Sequence, residues 1–415
     1  MWSPMPKFFR MIILAFFPLL LATEFSFGKE IKIGMSAAFS GPTRGLGIEL
    51  FRGSSAFIAP LNEQGGVFGR KIKLIAYDDG YNPDPTIRNT IRLVEEDDVF
   101  ILLDYVGTPT VTRVLPLVKK YGDQRNMFLF FPFTGAQPQR EYPYAPYVFN
   151  LRASYRQEIY ALVDYLLSIG RNRLAVFYQI DAYGRSGWEG VQKALEKRGL
   201  SLVGEATYYR GARYELSMKD QVKILRSTSP DAIICIGSSE PCAAFIRDAR
   251  DGGLKVPIAN VSFADSENQL QLLLATGKAN GRDYTTNLIN SEVVPSYEEM
   301  NLPAVMEYRS FMEKFGVAPP ANLVGNDYKA HQYSPVSLEG FLNAKLLVEI
   351  LKRLGPNPQR TNIKSVVEGI RDFDIGINVP VTFGPTKHQG LDVVFLTTVE
   401  NGRFVSITDW KSSEK

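Results

Sequence analysis

The sequence predicts an α/β protein of two doubly wound, Rossmann-like lobes with parallel central sheets. Apolar β-rich runs alternate with amphipathic helical patterns over most of the chain, the signature of β-α-β units. The alternation restarts near residue 150, so two lobes of similar build explain it better than one enlarged sheet. The 415 residues, 45% hydrophobic and 22% charged, suffice to bury two cores.

The first lobe opens with the strand IKIGMSAAF (31–39), followed by a helix over 47–66 that a double glycine stops. A strand over 71–79 leads to a helix that starts after Asn82-Pro83-Asp84-Pro85 and carries Ile87, Ile91 and Val94 at helical spacing. Strands over 99–107 and 127–131 flank the helix 111–122. In the second half, helices over 158–170, 187–199, 219–229 and 241–253 alternate with strands over 173–180, 200–209, 231–237 and 256–263. From about residue 284 the pattern loosens, with helices over 304–316 and 337–355. Two final β-like runs, 391–400 and 403–410, are joined by the turn Asn401-Gly402.

The first 28 residues differ from the rest: Lys7 and Arg10 precede the apolar run Met11 to Ala22, with Ser26 and Gly28 at positions suited to signal peptidase. They are expected to be a cleaved secretory signal peptide, because 12 apolar residues containing Pro18 are too short to cross a bilayer comfortably. No cysteine stands near the cleavage site, so a lipoprotein is not expected and the protein should diffuse in a periplasm-like space. Cys235 and Cys242 are expected to be buried thiols, with a disulfide between them left open.

Several functions lose their usual signature. The net charge is +3 with no dense basic run, which argues against nucleic acid. His331 and His388 have no neighbours at metal-ligand spacing, so no metal is expected. Phosphate-binding, nucleophile-elbow and dinucleotide glycine motifs are missing, so no cofactor, no catalytic residue and no enzyme activity are expected. Asp78-Asp79 reads as a strand-end turn, since neighbouring strand residues face opposite ways.

In an open parallel sheet, small ligands bind at the carboxyl ends of the strands. The loops there are Ser36 to Pro42, with Leu46 just beyond; Gly107-Thr108-Pro109-Thr110; and Phe133-Thr134-Gly135-Ala136. They are rich in small residues and hydroxyls and carry no acid. Thr108 can cap a helix and Gly107 would let a ligand approach the backbone, while a helix N-terminus favours a carboxylate. Phe133 suits a ligand with a flat or apolar portion. Across the cleft stand Tyr183 with Gly184, Ser238-Ser239 and Ser262-Phe263. The expected ligand-binding set is Leu46, Gly107, Thr108, Phe133, Thr134, Gly135, Ala136, Tyr183, Ser238, Ser262 and Phe263.

The stretch IKIGMSAAFSGP with FRGSSAFIAPLNEQGGVFGRKIKLIAYDDGYNP, then GTPT, FPFTGA, RLAVFYQIDAYGRSG, PCAAFIRDARDGGL and SLEGFLNAKLLVEIL, resembles the branched-chain amino acid (Leu/Ile/Val) type of periplasmic substrate-binding protein of ABC transporters. The likeness rests on the order and spacing of these segments over essentially the whole mature chain. It implies the type I periplasmic binding fold, whose lobes are joined by three chain crossings and close around a small ligand by hinge motion. The corresponding division is 29–149 plus 285–388 for lobe 1 and 150–284 plus 389–415 for lobe 2. It also implies that Thr108 and Thr134-Gly135 grip the ligand's polar end, that Tyr183 adds a ring, and that a membrane permease is the partner of a monomer, with a dimer left open.

The sequence departs from that pattern where an acid would pair with the ligand's ammonium. By strand-end position Ser262 stands there, Ser238 stands in place of a second tyrosine, and Gly107 replaces a common serine. A buried ammonium without a carboxylate is costly, so a neutral or acidic ligand is expected: an amide, a urea-like compound or an aromatic acid. Asp265 or Glu267 would supply the charge under a different loop shape. The leading expectation is a transport receptor for a small polar organic solute; the alternative is a sensory receptor of the same fold, signalling to a membrane kinase or channel.

Overall fold

A computed structural model describes residues 1–2, 30–325 and 327–408; the expected signal peptide lies outside the described residues apart from Met1 and Trp2. The chain opens with β1 (Ile31–Ala37), α1 (Arg44–Glu63), β2 (Ile72–Asp78), α2 (Pro83–Glu95), β3 (Ile101–Leu103), α3 (Thr108–Arg125), β4 (Leu129–Phe130) and β5 (Val148–Phe149). These strands form a parallel sheet in the order β2-β1-β3-β4-β5.

The second half runs through α4 (Tyr155–Ser168), β6 (Leu174–Gln179), α5 (Ala182–Glu196), β7 (Gly204–Tyr208) and α6 (Lys219–Ser227). It continues with β8 (Ala232–Ile236), α7 (Ser239–Asp251), β9 (Ile258–Asn260), α8 (Ser266–Asn280) and β10 (Leu288–Glu292). The remainder contributes α9 (Pro303–Phe315), α10 (Pro335–Leu354), α11 (Ile363–Glu368), the short pair β11 (Phe373–Asp374) and β12 (Pro380–Val381), and the hairpin β13 (Phe395–Glu400) and β14 (Arg403–Ser406). The second sheet reads β14-β13-β10-β9-β8-β6-β7, with β13 antiparallel to β10.

Each sheet is covered on both faces, as its apolar strands require. One face of the first sheet packs on α1, α9, α10 and α11, and the other on α2 and α3. Residues 150–151 and 389–391 run side by side between the sheets: Asn150 N donates to His388 O at 2.8 Å and Leu391 N to Leu151 O at 2.9 Å. Because β10 is a strand of the second sheet, we place one lobe crossing after Glu292 rather than at 284–285, with the others at these paired segments.

Two expected strands are cut short by the backbone. The run 127–131 keeps only Leu129–Phe130, since Phe131 adopts a φ of 50° and Pro132 has no N–H to give. The run 99–107 keeps Ile101–Leu103, because Asp104 turns to a φ of 56°. Asn401 and Gly402, at φ 51° and 74°, form the expected hairpin turn.

Asp104 is fully buried beneath α1 and α10. Ser54 Oγ lies 2.7 Å from its Oδ2 and 2.9 Å from Gly340 O, and Asn343 Nδ2 donates to its Oδ1 at 2.8 Å. One serine proton serves one acceptor; given to Gly340, it leaves Asp104 to carry a proton of its own. Burial pushes this carboxyl up to about 8 against the pull of Ser54 and Asn343. An acid raised in the folded state binds more protons folded than unfolded, so stability is lost as pH climbs from about 4 toward 8. Asp104→Asn should therefore flatten this part of the pH profile, narrowing the drop in Tm between pH 6 and pH 9; an unchanged drop would rule Asp104 out as its source.

Candidate functional site

The loop after β1 is closed by Asp78, whose Oδ1 accepts Phe39 N at 2.8 Å and Ser40 N at 3.2 Å. Asp79 points the other way and is buried, accepting Ser36 Oγ at 2.8 Å and Tyr81 N at 2.9 Å. The pair thus builds the turn, and the turn sends Tyr81, at a φ of 59°, into the cleft. Gly107 has a different use from the one expected. Its φ is +103°, and a Cβ there would lie 2.2 Å from Tyr81 Cε2, so the glycine makes room for a tyrosine ring.

Gly107 is the N-cap of α3, and Thr108, the first helical residue, turns its hydroxyl elsewhere. Thr108 Oγ1 and Thr134 Oγ1 lie 2.7 Å apart, joining the loops after β3 and β4. Arg140 clamps the Phe133–Ala136 loop from behind, with Nε donating to Ala136 O at 3.2 Å and Nη2 to Thr134 O at 3.3 Å. Burial, and then the nearby Arg152, lower the Arg140 pKa to about 9. Gly135 is held by close backbone approach: its carbonyl accepts Tyr155 N at 2.7 Å, and a Cβ on it would come within 2.5 Å of that nitrogen.

On the other side, Asp181 caps α5 through the amides of Tyr183 at 2.9 Å and Gly184 at 3.4 Å. This fixes Tyr183, whose hydroxyl donates to Gly237 O at 3.3 Å. The turn after β9 presents Phe263, which meets Tyr183, Tyr81 and Phe133 at centroid separations of 4.6, 5.6 and 5.9 Å. Rings from both lobes therefore converge at the carboxyl ends of the two sheets. Leu46 and Ala136 are buried in the same apolar cluster. Ser238 stands at the start of α7, where its amide is taken by the Tyr208 hydroxyl at 3.0 Å.

The most consequential residue was not expected from the sequence. Arg152, 2% exposed, lies between the lobes with its guanidinium 4.4 Å from the Phe133 ring centroid. Nη2 donates to Ser262 Oγ and pairs with Glu158 Oε1 at 3.5 Å, and Nη1 faces Glu339 Oε1 of α10 at 3.6 Å. Burial works against its charge, but Glu339 and Glu158 outweigh that and raise its pKa. Glu158 also accepts Ser262 N at 2.9 Å, Ser262 Oγ at 3.1 Å and Ser291 Oγ at 2.8 Å, so its oxygens are fully engaged. Among the described residues, Arg152 Nε and Nη1 have no hydrogen-bond partner. The Tyr155 hydroxyl faces the Thr108–Thr134 pair without a hydrogen bond of good geometry, and burial pushes its pKa up to about 12.

A cavity of about 710 Å³ opens at the mouth of the cleft, lined by Arg44, Gly45, Tyr297 and Tyr328 on one side and Glu240 and Glu267 on the other. Arg44 holds the facing loop through a two-pronged ion pair with Asp327, at 2.9 and 2.7 Å. Asp265 lies behind Gly45, 1% exposed, and neither of its oxygens has a hydrogen bond of good geometry. Burial, then Glu49, push it up to about 8, so a neutral carboxyl is favoured there.

Among the described residues no His, Cys, Asp and Glu group could hold a metal ion, and no helix is long and apolar enough to cross a membrane. Cys235 and Cys242 are buried free thiols.

The family model for periplasmic binding proteins matches residues 30–403. An amino acid binding protein of Pseudomonas aeruginosa is 24% identical over 226 residues, 54% of this chain and 58% of that one, so the match spans under two thirds of this relative's length. The structure of a possible leucine/isoleucine/valine-binding protein from Rhodopirellula baltica superposes with a TM-score of 0.80 at 30% identity, covering 93% of this chain and 98% of that one. A branched-chain amino acid ABC transporter structure from Thermus thermophilus with bound valine gives 0.78 at 19% identity, covering 91% and 95%, a likeness of fold alone.

Proposed function

The chain belongs to the periplasmic binding protein family and is a solute-binding receptor of the Leu/Ile/Val-binding type, and on that premise we propose that it serves an ABC importer. It captures a small organic solute between its lobes outside the cytoplasm and delivers it to a membrane permease. The observation that carries this reading is the convergence of Tyr81 and Phe133 from one lobe with Tyr183 and Phe263 from the other, beside the Thr108–Thr134 pair. The binding set is Thr108, Phe133, Thr134, Tyr183, Ser262 and Phe263, extended by Tyr81, Arg152 and Tyr155, with Leu46, Gly107, Gly135, Ala136 and Ser238 shaping its walls. The relatives are ligand-binding proteins, which supports binding without turnover. Residues 1–28 act as the export signal, and the receptor works as a soluble monomer.

The test is a thermal-shift screen of the purified chain against amino acids, amides, urea and aromatic acids. A ligand at a hundred times its Kd should add about 2.7 kcal/mol of stability, easily read as a rise in Tm. A screen in which nothing moves Tm would overturn the receptor reading, and turnover of a hit would replace it with an enzyme.

A further inference from the structure

We infer that the solute is an aromatic carboxylate lacking an α-ammonium group, its carboxylate received by Arg152 and the Tyr155 hydroxyl and its ring by Phe133 and Phe263. The inference rests on the receptor reading above and names the ligand class for that same cleft.

Three features converge on it. Arg152 is buried; among the described residues its Nε has no hydrogen-bond partner, and its Nη1 reaches only Glu339, at an ion-pair distance of 3.6 Å that is too long for a hydrogen bond. A buried donor left unmade is costly, and a planar guanidinium fork matches a carboxylate. The buried Tyr155 hydroxyl, which faces the Thr108 and Thr134 hydroxyls without a hydrogen bond of good geometry, supplies a further donor. Around these donors stand aromatic rings of both lobes, with Phe133 stacked under the guanidinium. Rings that meet at 4.6 to 5.9 Å across the lobe boundary part when the lobes open, and a flat ring then fits between them.

Beside Arg152 and Tyr155 the carboxylate an ammonium would need is already engaged, and Asp265, the unpaired carboxyl of the cleft, lies behind Gly45 and is pushed toward its neutral form by burial. Glu158, the carboxylate nearest Ser262, is engaged by Ser262, Ser291 and Arg152. Arg152 is faced by Glu158 from α4, Glu339 from α10 and, further off, Glu292 from β10, with Arg140 behind the loop. A ligand anion in this company makes Glu339 and Glu292, already pushed up by burial to about 7 and about 8, hold their protons more firmly. Binding of an acid therefore takes up protons and tightens as pH falls from 8.5 to 6.5, whereas an ammonium releases protons and does the reverse.

The experiment compares matched compounds by titration calorimetry with the purified chain: 3-phenylpropanoate, 3-phenylpropanamide, 2-phenylethylamine, L-phenylalanine and L-leucine. The acid should bind at least tenfold tighter than each of the others and more tightly at pH 6.5 than at 8.5. Tyr155→Phe removes only a hydroxyl without a hydrogen bond of good geometry in the protein, so it should shift Tm little and weaken 3-phenylpropanoate about tenfold. Tighter binding of L-phenylalanine or L-leucine, with Asp265→Asn abolishing it, would overturn the ligand class and leave the receptor reading intact. An unaffected Tyr155→Phe would overturn the assignment of the carboxylate site. Binding of none of these or of any screened solute would overturn both readings together.

Discussion

Gly53→Ala is expected to destabilise the protein by about 3 kcal/mol or more, although alanine is the better helix former by about 1 kcal/mol. The reason is the crossing of α1 and α10, where a Cβ on Gly53 would stand 1.8 Å from Ser337 O and 2.9 Å from Phe341 N. Both obstacles are backbone, so nothing can rotate aside. The approach is mutual, since a Cβ on Gly340 would meet Leu50 O at 2.2 Å. Separating the helices to admit one methyl would also pull Ser54 from Gly340 and disturb its bond to Asp104. Urea unfolding should show a much lower midpoint for Gly53→Ala, while Ser55→Ala, two residues further along the chain, should change little. Equal midpoints would mean that the helices do not cross this closely.

Arg152→Met is expected to cost about 3 kcal/mol at pH 8 and to abolish ligand binding. Methionine fills similar volume against Phe133 but leaves Glu158 and Glu339 facing each other with only the more distant Arg140 as a cation. Glu158 keeps the amide and hydroxyls of Ser262 and Ser291, so Glu339 is the carboxylate most exposed to the loss. Glu339, which burial raises to about 7, can relieve the repulsion by keeping its proton, so the penalty should shrink at pH 6. For the same reason Glu339→Gln should restore part of the stability of Arg152→Met but none of its binding. Chemical denaturation of the two single variants and the double variant isolates this coupling. Additive losses would show that Arg152 and Glu339 do not interact.

The alternating lobes were legible because each apolar strand and each amphipathic helix carries its own periodicity, as in β6, α5 and β8. α8 and β10 were not. The leucines of α8 crowd at 270, 272, 273 and 274 instead of recurring every third or fourth residue, and β10 buries the polar Asn290, Ser291 and Glu292. In the site, the loops after β1, β3 and β4 were visible as small, hydroxyl-rich breaks at strand ends, and Thr108 and Thr134 meet there. The sequence could not tell that Gly107 accommodates Tyr81, because that depends on a ring from 26 residues away. Nor could it mark Arg152, a lone arginine in the segment Asn150 to Ser154, whose value comes from Glu158, Ser262 and Glu339, brought to it from three other elements.

The central claim is that two lobes close on a solute held between Phe133 and Phe263. It is tested most directly by the distance between spin labels at the exposed positions Arg113 on α3 and Lys223 on α6, measured by electron paramagnetic resonance with and without the tightest ligand found. The buried Cys235 and Cys242 leave introduced cysteines free for labelling. The account predicts a broad distribution without ligand that collapses to one short distance at saturation, and a failure to collapse in Arg152→Met. A ligand that binds tightly while the distribution stays the same would contradict it.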